Sequence, residues 1–487
     1  MTLQATSFES IDDSVSFLRG QFIAGFSREM CWRRLNIERI HDMVKENEER
    51  FYEALAKDMN KPRLEAFTGD INPVLEECNI DRLVKERKVK ARNGFSSGTT
   101  TVRREALGAW NFPLQLTLIP LIGAIAAGNT AIVKPSEIAP HTANLLAELF
   151  PIYLDDAKYR VVNGGVDVAT ALLAHRFDHI FYTGSTNVGK IIMEAAAKHV
   201  TPVTLELALS LSPKMSTSPP WPNALLLANS STACVAPDYV LIHESLLQPF
   251  TLAFQATVKK WFGDNPKNSP HLARLISDRH FDHVAHMLNH RDSGDVVVGG
   301  DTDRAQRFIA PTLVVNVSPL ESTLMDDEIF GPVLPVLTYR KLEDAVAYIN
   351  KKTSPLALYI FSNKKQDIDT ILSSTQSGGV LINDTMLHQS EYALPFGGVG
   401  HSGMGGYHGD KTFETFTYER AVMAKNLRLE ALNRFRYPPY TSGKQSVLRM
   451  VLSTHPIVYY YKLRRVGIKV NAFLLFLLIL FIRLRRR

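Results

Sequence analysis

Cysteine is scarce. Cys31, Cys78 and Cys234 are the only three in 487 residues, too few and too scattered for a disulfide framework or a structural zinc site, and a reducing compartment suits them. The opening stretch MTLQATSFESIDDSVSF places acids where a secretory signal needs a basic and then an apolar region, so secretion is not expected. No repeat of fixed period is visible. Acidic residues are missing altogether from residues 462 to 487, which hold Lys462, Arg464, Arg465, Lys469, Arg483, Arg485, Arg486 and Arg487. The net charge of +6 is therefore a property of the tail, and the rest of the chain carries about −2. Such a body has no electrostatic footprint for nucleic acid.

The length calls for two or three intimately joined domains. Residues 10 to 60 carry apolar positions at helical spacing, as in IERIHDMVKENEERFYEALAKDM, and the pattern continues to about 95 through VLEECNIDRLVKERKVK. From 107 to 205, short apolar runs alternate with helical segments, which implies a parallel sheet covered on both faces, an architecture that binds nucleotides. Residues 208 to 228, ALSLSPKMSTSPPWPNALLLA, break this rhythm with prolines and serines and read mostly as loop. Alternation resumes from Cys234 to about 390, and the Gly-rich PFGGVGHSGMGGYHG follows at 395 to 409.

Several segments carry candidate chemistry. In HIFYTGSTNVGK, at 179 to 190, an apolar strand ends in a turn that opens a helix. Amides at a helix N-terminus favour a pyrophosphate, and Gly184 and Gly189 would let it approach; without the fuller GxGxxG spacing, an ordinary strand-to-helix turn is the alternative. Lys134 and Glu137, at the end of the TAIV strand, could hold an adenosine ribose, or be a polar turn with a helix cap. Cys234 is a nucleophile or a buried small hydrophobe. Glu206, in the apolar run TPVTLEL, is a base activated by burial or half of a structural ion pair.

Ten ordered segments between residues 10 and 437, including AWNFP, LIPLIGAIAAGN, KPSE, FYTGS, PVTLEL, CVAPDYV, DEIFGPVLPV, PLALYIFS, PFGGVGHSGMGGYHG and RYPP, make the chain resemble the aldehyde dehydrogenase superfamily, specifically its class 3, fatty-aldehyde branch. The resemblance implies an α/β fold with a Rossmann-type cofactor domain, an α/β catalytic domain and a small β element for bridging or oligomerisation. Helical layer and NAD-binding domain would occupy 1–205, the catalytic domain 206–394 and the return or oligomerisation segment 395–440. It further implies oxidation of medium- or long-chain aldehydes to acids, with Cys234 as nucleophile, Glu206 as general base and Asn111 as oxyanion donor. NAD, with NADP accepted, would contact Lys134, Glu137, Gly184, Ser185, Val188, Gly189, Glu328 and Phe330. A homodimer is expected, and no metal.

Three departures fall on these working parts. The family has an apolar strand between the segment matching EALG and AWNFP, whereas here Gly108 runs directly into Ala109, so that strand is missing or replaced. After Glu206-Leu207 the family has two glycines where this chain has Ala208 and Leu209, and Cys234 follows Ser231, Thr232 and Ala233 instead of Gly-Gln-Thr. Such losses leave an alternative function: a catalytically impaired, membrane-tethered member, a splice variant or pseudoenzyme, acting as a binding or dimerisation partner. The tail supplies the tether. Val466 to Leu484 gives 19 residues flanked by basic clusters if Lys469 and Arg483 snorkel, with 441–465 as linker and the catalytic body in the cytosol. The endoplasmic reticulum is the expected membrane, with peroxisome and mitochondrial outer membrane as alternatives.

Overall fold

The structure is a computed structural model that describes residues 3–25, 27, 29–79, 98–101, 104–207, 213–216, 233–319, 322–420 and 437–452. They divide into two compact units, residues 1–85 with 101–418, and residues 86–100 with 419–487. The two large sheets lie in the first unit. In the second, helix Ser442–Leu452 occupies the start of the expected linker; Thr441 Oγ1 caps it by accepting from Lys444 N at 3.3 Å. The expected anchor, 466–484, lies outside the described residues. Among the described residues no helix is long and apolar enough to cross a membrane.

The N-terminal layer is helical as the spacing predicts: α1 (Phe8–Ala24), α2 (Met30–Glu46) and α3 (Glu48–Met59). In α1, Ile11, Val15 and Leu18 recur at helical spacing and pack with Ile132, Val162, Val168 and Leu172 of the first sheet's half. Residues 80–97, where the helical pattern was expected to continue, lie outside the described residues.

The first sheet is built from β1 (Arg104–Leu107), β2 (Ala131–Lys134), β3 (Tyr159–Val161), β4 (Ile180–Gly184) and β5 (Val203–Leu207). Between them run helices α4 (Gln115–Ala126), α5 (Pro140–Tyr153), α6 (Val166–Leu173) and α7 (Thr186–Ala197). The spatial order of strands is β5-β4-β1-β2-β3, all parallel. The missing strand is thus replaced. Residues 104–107 stand between β2 and β4, with Glu105 opposite both Ile132 and Ile180. An empty slot there would leave two rows of backbone donors and acceptors unpaired inside the domain, so the nearest upstream segment fills it.

The second sheet holds β6 (Pro213–Ser216), β7 (Tyr239–His243), β8 (Asp295–Val298), β9 (Thr312–Val315), β10 (Val333–Tyr339), β11 (Ala357–Phe361) and β12 (Gly379–Ile382). Its order is β12-β11-β6-β7-β10-β9-β8, with β8 alone antiparallel. The loop reading of 208–228 is corrected in part: β6 pairs with both β7 and β11 in the interior of the sheet. Pro213 takes the first strand position, where its missing N–H is tolerated, and tertiary pairing overrides the local Pro/Ser composition.

The Gly-rich stretch returns to the first sheet. Gly403 and Met404 pair antiparallel with β5, Gly403 opposite Glu206, so this return joins the sheet that the expected domain boundary at 205/206 placed before it. A Cβ at Gly398 would stand 1.9 Å from the Ser402 carbonyl oxygen, and at Gly403, where φ is +151°, 2.4 Å from that of Leu205. Only glycine permits this closeness.

Asp58, buried at the end of α3, reaches across to start α5. Its carboxylate accepts from His141 N at 3.0 Å, Thr142 N at 2.9 Å and Thr142 Oγ1 at 2.8 Å, which fixes the turn carrying Lys134 and Glu137. Asp58→Ala is expected to lower stability by about 2 kcal/mol in urea unfolding, because it strands buried helix donors.

Candidate active site

The parallel strands β1, β2 and β4 end on one side of the first sheet, and there a cavity of about 660 Å³ runs from the sheet to Cys234. Brought together at its first end are Lys134, Glu137, Ile138, Val166, Val188 and Ile191. Lys134 Nζ donates to Glu137 Oε2 at 2.9 Å. The middle is formed by Gly184 and Ser185, where Ser185 caps α7 by accepting from Val188 N. Trp110, Asn111, Cys234, Glu328 and Phe330 form the far end.

These residues suit a dinucleotide. A carboxylate beside an ammonium matches a ribose diol, exposed apolar side chains at Ile138, Val166, Val188 and Ile191 offer a face to a flat base, and the N-terminus of a three-turn helix favours phosphate. Gly189 is not among the cavity-lining residues. It faces Leu207, whose Cδ2 would stand 2.6 Å from an added Cβ, so it serves the close packing of α7 on β5.

At the far end, Cys234 sits in a turn just before β7, partly exposed to the cavity. Tyr359 of β11 donates its hydroxyl to the Val235 carbonyl at 2.6 Å and accepts from Met386 N at 3.3 Å, which holds this turn. Burial pushes the Cys234 thiol up to about 12, with Glu328 and Glu206 adding to the effect. Glu206, on β5, is 3 % exposed, and its two carboxylate oxygens have no hydrogen-bond partner among the described residues. Burial alone drives it well above the usual carboxylate range. The buried Tyr407 phenol feels both Glu206 and Cys234, which places all three in one neighbourhood. A thiol and an amide side chain lining one nucleotide-sized cavity, with a carboxyl kept neutral by desolvation near the thiol, are the parts of covalent acyl chemistry.

The comparisons agree with this geometry. The family model described as the aldehyde dehydrogenase family matches residues 27–422. The chain belongs to the aldehyde dehydrogenase family. It is 42% identical to rat aldehyde dehydrogenase family 3 member A2, over 90% of this chain and 93% of that protein. It is also 42% identical to the rat protein named aldehyde dehydrogenase, dimeric NADP-preferring, over 88% of this chain and 98% of the relative. Among solved structures, the substrate-bound state of Staphylococcus aureus AldH superposes with a TM-score of 0.85 at 33% identity, covering 91% of this chain and 99% of that one. Members of this family oxidise aldehydes to acids with NAD or NADP, and this chain is an oxidoreductase of that kind.

Within the family frame, residues not singled out from sequence become visible. Asp238, in the CVAPDYV segment, accepts from Ile329 N at 3.0 Å and from Phe330 N, tying the Glu328–Phe330 loop to the nucleophile's segment. Phe330 has a φ of +50°, a strained value for a bulky residue. The Trp110 ring meets both Phe330 and His280 edge-on at 5.4 Å. Burial, reinforced by His283, holds His280 down at about 4, so the ring is neutral at physiological pH. No local pattern marks these roles, since each depends on a partner about 50 residues or more away. Ala208, Leu209, Ser231 and Thr232 lie outside the described residues.

Glu206 also makes a stability prediction. Its folded pKa is raised, so the stability it contributes is complete below the unfolded value of about 4.3 and is lost as pH rises through the folded value. Glu206→Gln is therefore expected to match wild type in thermal melts near pH 4 and to melt at a higher temperature near pH 9. Equal melting at both pH values would mean that the carboxyl is solvated or paired.

Proposed function

We propose that this chain oxidises medium- and long-chain aliphatic aldehydes at a membrane surface, with Cys234 as nucleophile, Glu206 as general base and Asn111 as oxyanion donor. The observation that carries this reading is that Cys234 and Asn111 line the same cavity as Lys134 and Glu137, with the unpartnered Glu206 near enough to Cys234 to act on its thiol electrostatically. Lys134 and Glu137 would hold an adenosine ribose, Gly184, Ser185 and Val188 at the start of α7 a pyrophosphate, and Glu328 with Phe330 the second ribose.

Glu206, once ionised, takes the proton of the Cys234 thiol, and the sulfur attacks the aldehyde carbon. Negative charge collects on the former carbonyl oxygen, where the Asn111 amide and the Cys234 backbone N–H would stabilise it, each worth about 3 kcal/mol in the transition state. NAD or NADP, when bound, supplies the hydride acceptor that turns this adduct into a thioester. Glu206 gives the thiol's proton up to solvent and, ionised again, removes a proton from water, whose oxygen attacks the thioester carbonyl; the acid departs and the sulfur is released as thiolate. Because Glu206 starts neutral, turnover is expected to rise as pH increases through its raised pKa.

Residues 466–484 would anchor the protein in a membrane, the endoplasmic reticulum in the first instance, so that it meets aldehydes dissolved in lipid. The division we adopt is 1–205 for the helical layer and cofactor domain, 206–394 for catalysis, 395–440 for a return segment at a homodimer interface, and 441–465 as linker. The dimeric name of one rat relative supports the homodimer.

Wild type and Cys234→Ala are compared for NADH formation from a ten- to sixteen-carbon aldehyde, a range of roughly the size that partitions into lipid. Wild-type turnover with loss of at least about 10³-fold in the variant is expected; equal background rates would favour the tethered, non-catalytic partner instead. Deleting residues 466–487 is expected to move the protein from the membrane to the soluble fraction on cell fractionation. An unchanged membrane fraction would overturn the anchor.

A further inference from the structure

Beside Asn111, and with no role assigned above, lies a buried ion pair. Lys61 Nζ stands 2.7 Å from Asp70 Oδ2, with side chains 2% and 0% exposed. The same ammonium donates to the Asn111 carbonyl at 2.8 Å and sits 4.2 Å over the Phe112 ring. Asp70 Oδ1 accepts from Leu114 N at 3.2 Å, and the carboxylate also from Gln115 N. These are the first amides of α4, which has no cap from its own sequence. The two charges therefore grip the second half of the short segment between β1 and α4: Lys61 at Asn111 in its middle, Asp70 where the helix begins. Phe112 is wedged between them and Gly69, where an added Cβ would lie 2.5 Å from the ring.

Stability is a poor reason for this arrangement. Two charges of this kind lose several kcal/mol each of hydration on burial, and apolar residues of similar volume are often as stable or more so. What the pair supplies is geometry. The segment it grips follows the replaced strand, where Gly108 passes directly into Ala109, so the usual lead-in to the Asn111 turn is absent. We propose that Lys61 is a positioning residue for the oxidation: held by Asp70, it fixes the Asn111 peptide and thereby keeps the Asn111 amide where the oxyanion forms. This rests on the assignment of Asn111 under the proposed function. A shift of about 1 Å in such a donor costs on the order of 10²-fold in rate.

The test compares wild type, K61M, N111A, K61M/N111A and the doubly substituted K61M/D70N, which leaves no unpaired buried charge should K61M alone fold poorly. Aldehyde turnover and thermal melting are measured for each. Folded K61M or K61M/D70N is expected to lose about 10- to 100-fold in kcat with KM for aldehyde changed less than about threefold. K61M/N111A is expected to be no slower than N111A, because a donor already removed cannot be misplaced. Full kcat in the folded lysine variants, or losses that multiply with N111A, overturns the positioning role while leaving the proposed function intact. Absence of Cys234-dependent turnover in wild type overturns both.

Discussion

A parallel sheet inside a domain cannot leave a vacancy in its middle, and much of this structure follows from how the one here is filled. Residues 104–107 stand between β2 and β4, pairing with both. Their entry keeps the two neighbouring strands at the correct spacing, so the strand ends carrying Lys134 and Gly184 flank one cavity, and Gly108 leads straight toward Asn111. Gly108 itself is tied down: its N–H donates to the Lys134 carbonyl at 3.0 Å, and a Cβ there would meet Thr117 Oγ1 at 2.2 Å. With no slack between strand and turn, the position of Asn111 depends on side chains packed behind it.

The reacting end joins pieces from opposite sides of the chain. Glu206 comes from the first sheet and Cys234 from the turn before the second, while the Gly-rich return at 398–404 closes over β5 beside Glu206. Tyr359 and Asp238 hold the Cys234 turn and the Glu328–Phe330 loop through hydrogen bonds to backbone. The electrostatics are those of a dry site: the carboxyl and the thiol are both held in their neutral forms by burial. That state is the easier one to fold, and chemistry begins when a proton leaves it.

The buried Glu206 and the buried Lys61–Asp70 pair illustrate two uses of desolvation. Glu206 lacks partners among the described residues and is therefore poised to titrate. Lys61 and Asp70 have partners on every side and are fixed in place. A lone carboxyl suits proton transfer, whereas a saturated pair suits alignment.

The sequence by itself determined the family, the α/β alternation, the helical N-terminal layer and the identity of Cys234, Glu206, Asn111, Lys134 and Glu137 as residues to watch, because those rest on local periodicity and on ordered motifs. It also showed that a strand was lost before Asn111. Which segment would fill the gap was decided only by tertiary structure, since residues 104–107 become a central strand through pairing with partners about 27 and 75 residues away in sequence, and strand identity depends on neighbours more than on propensity. The same holds for Pro213–Ser216, whose composition reads as loop until β7 and β11 claim its backbone. Burial, too, is a property of the assembled fold: the apolar run TPVTLEL makes Glu206 a candidate, yet whether it is paired or desolvated was decided only by the protein packed around it, which leaves it 3 % exposed and holds its proton.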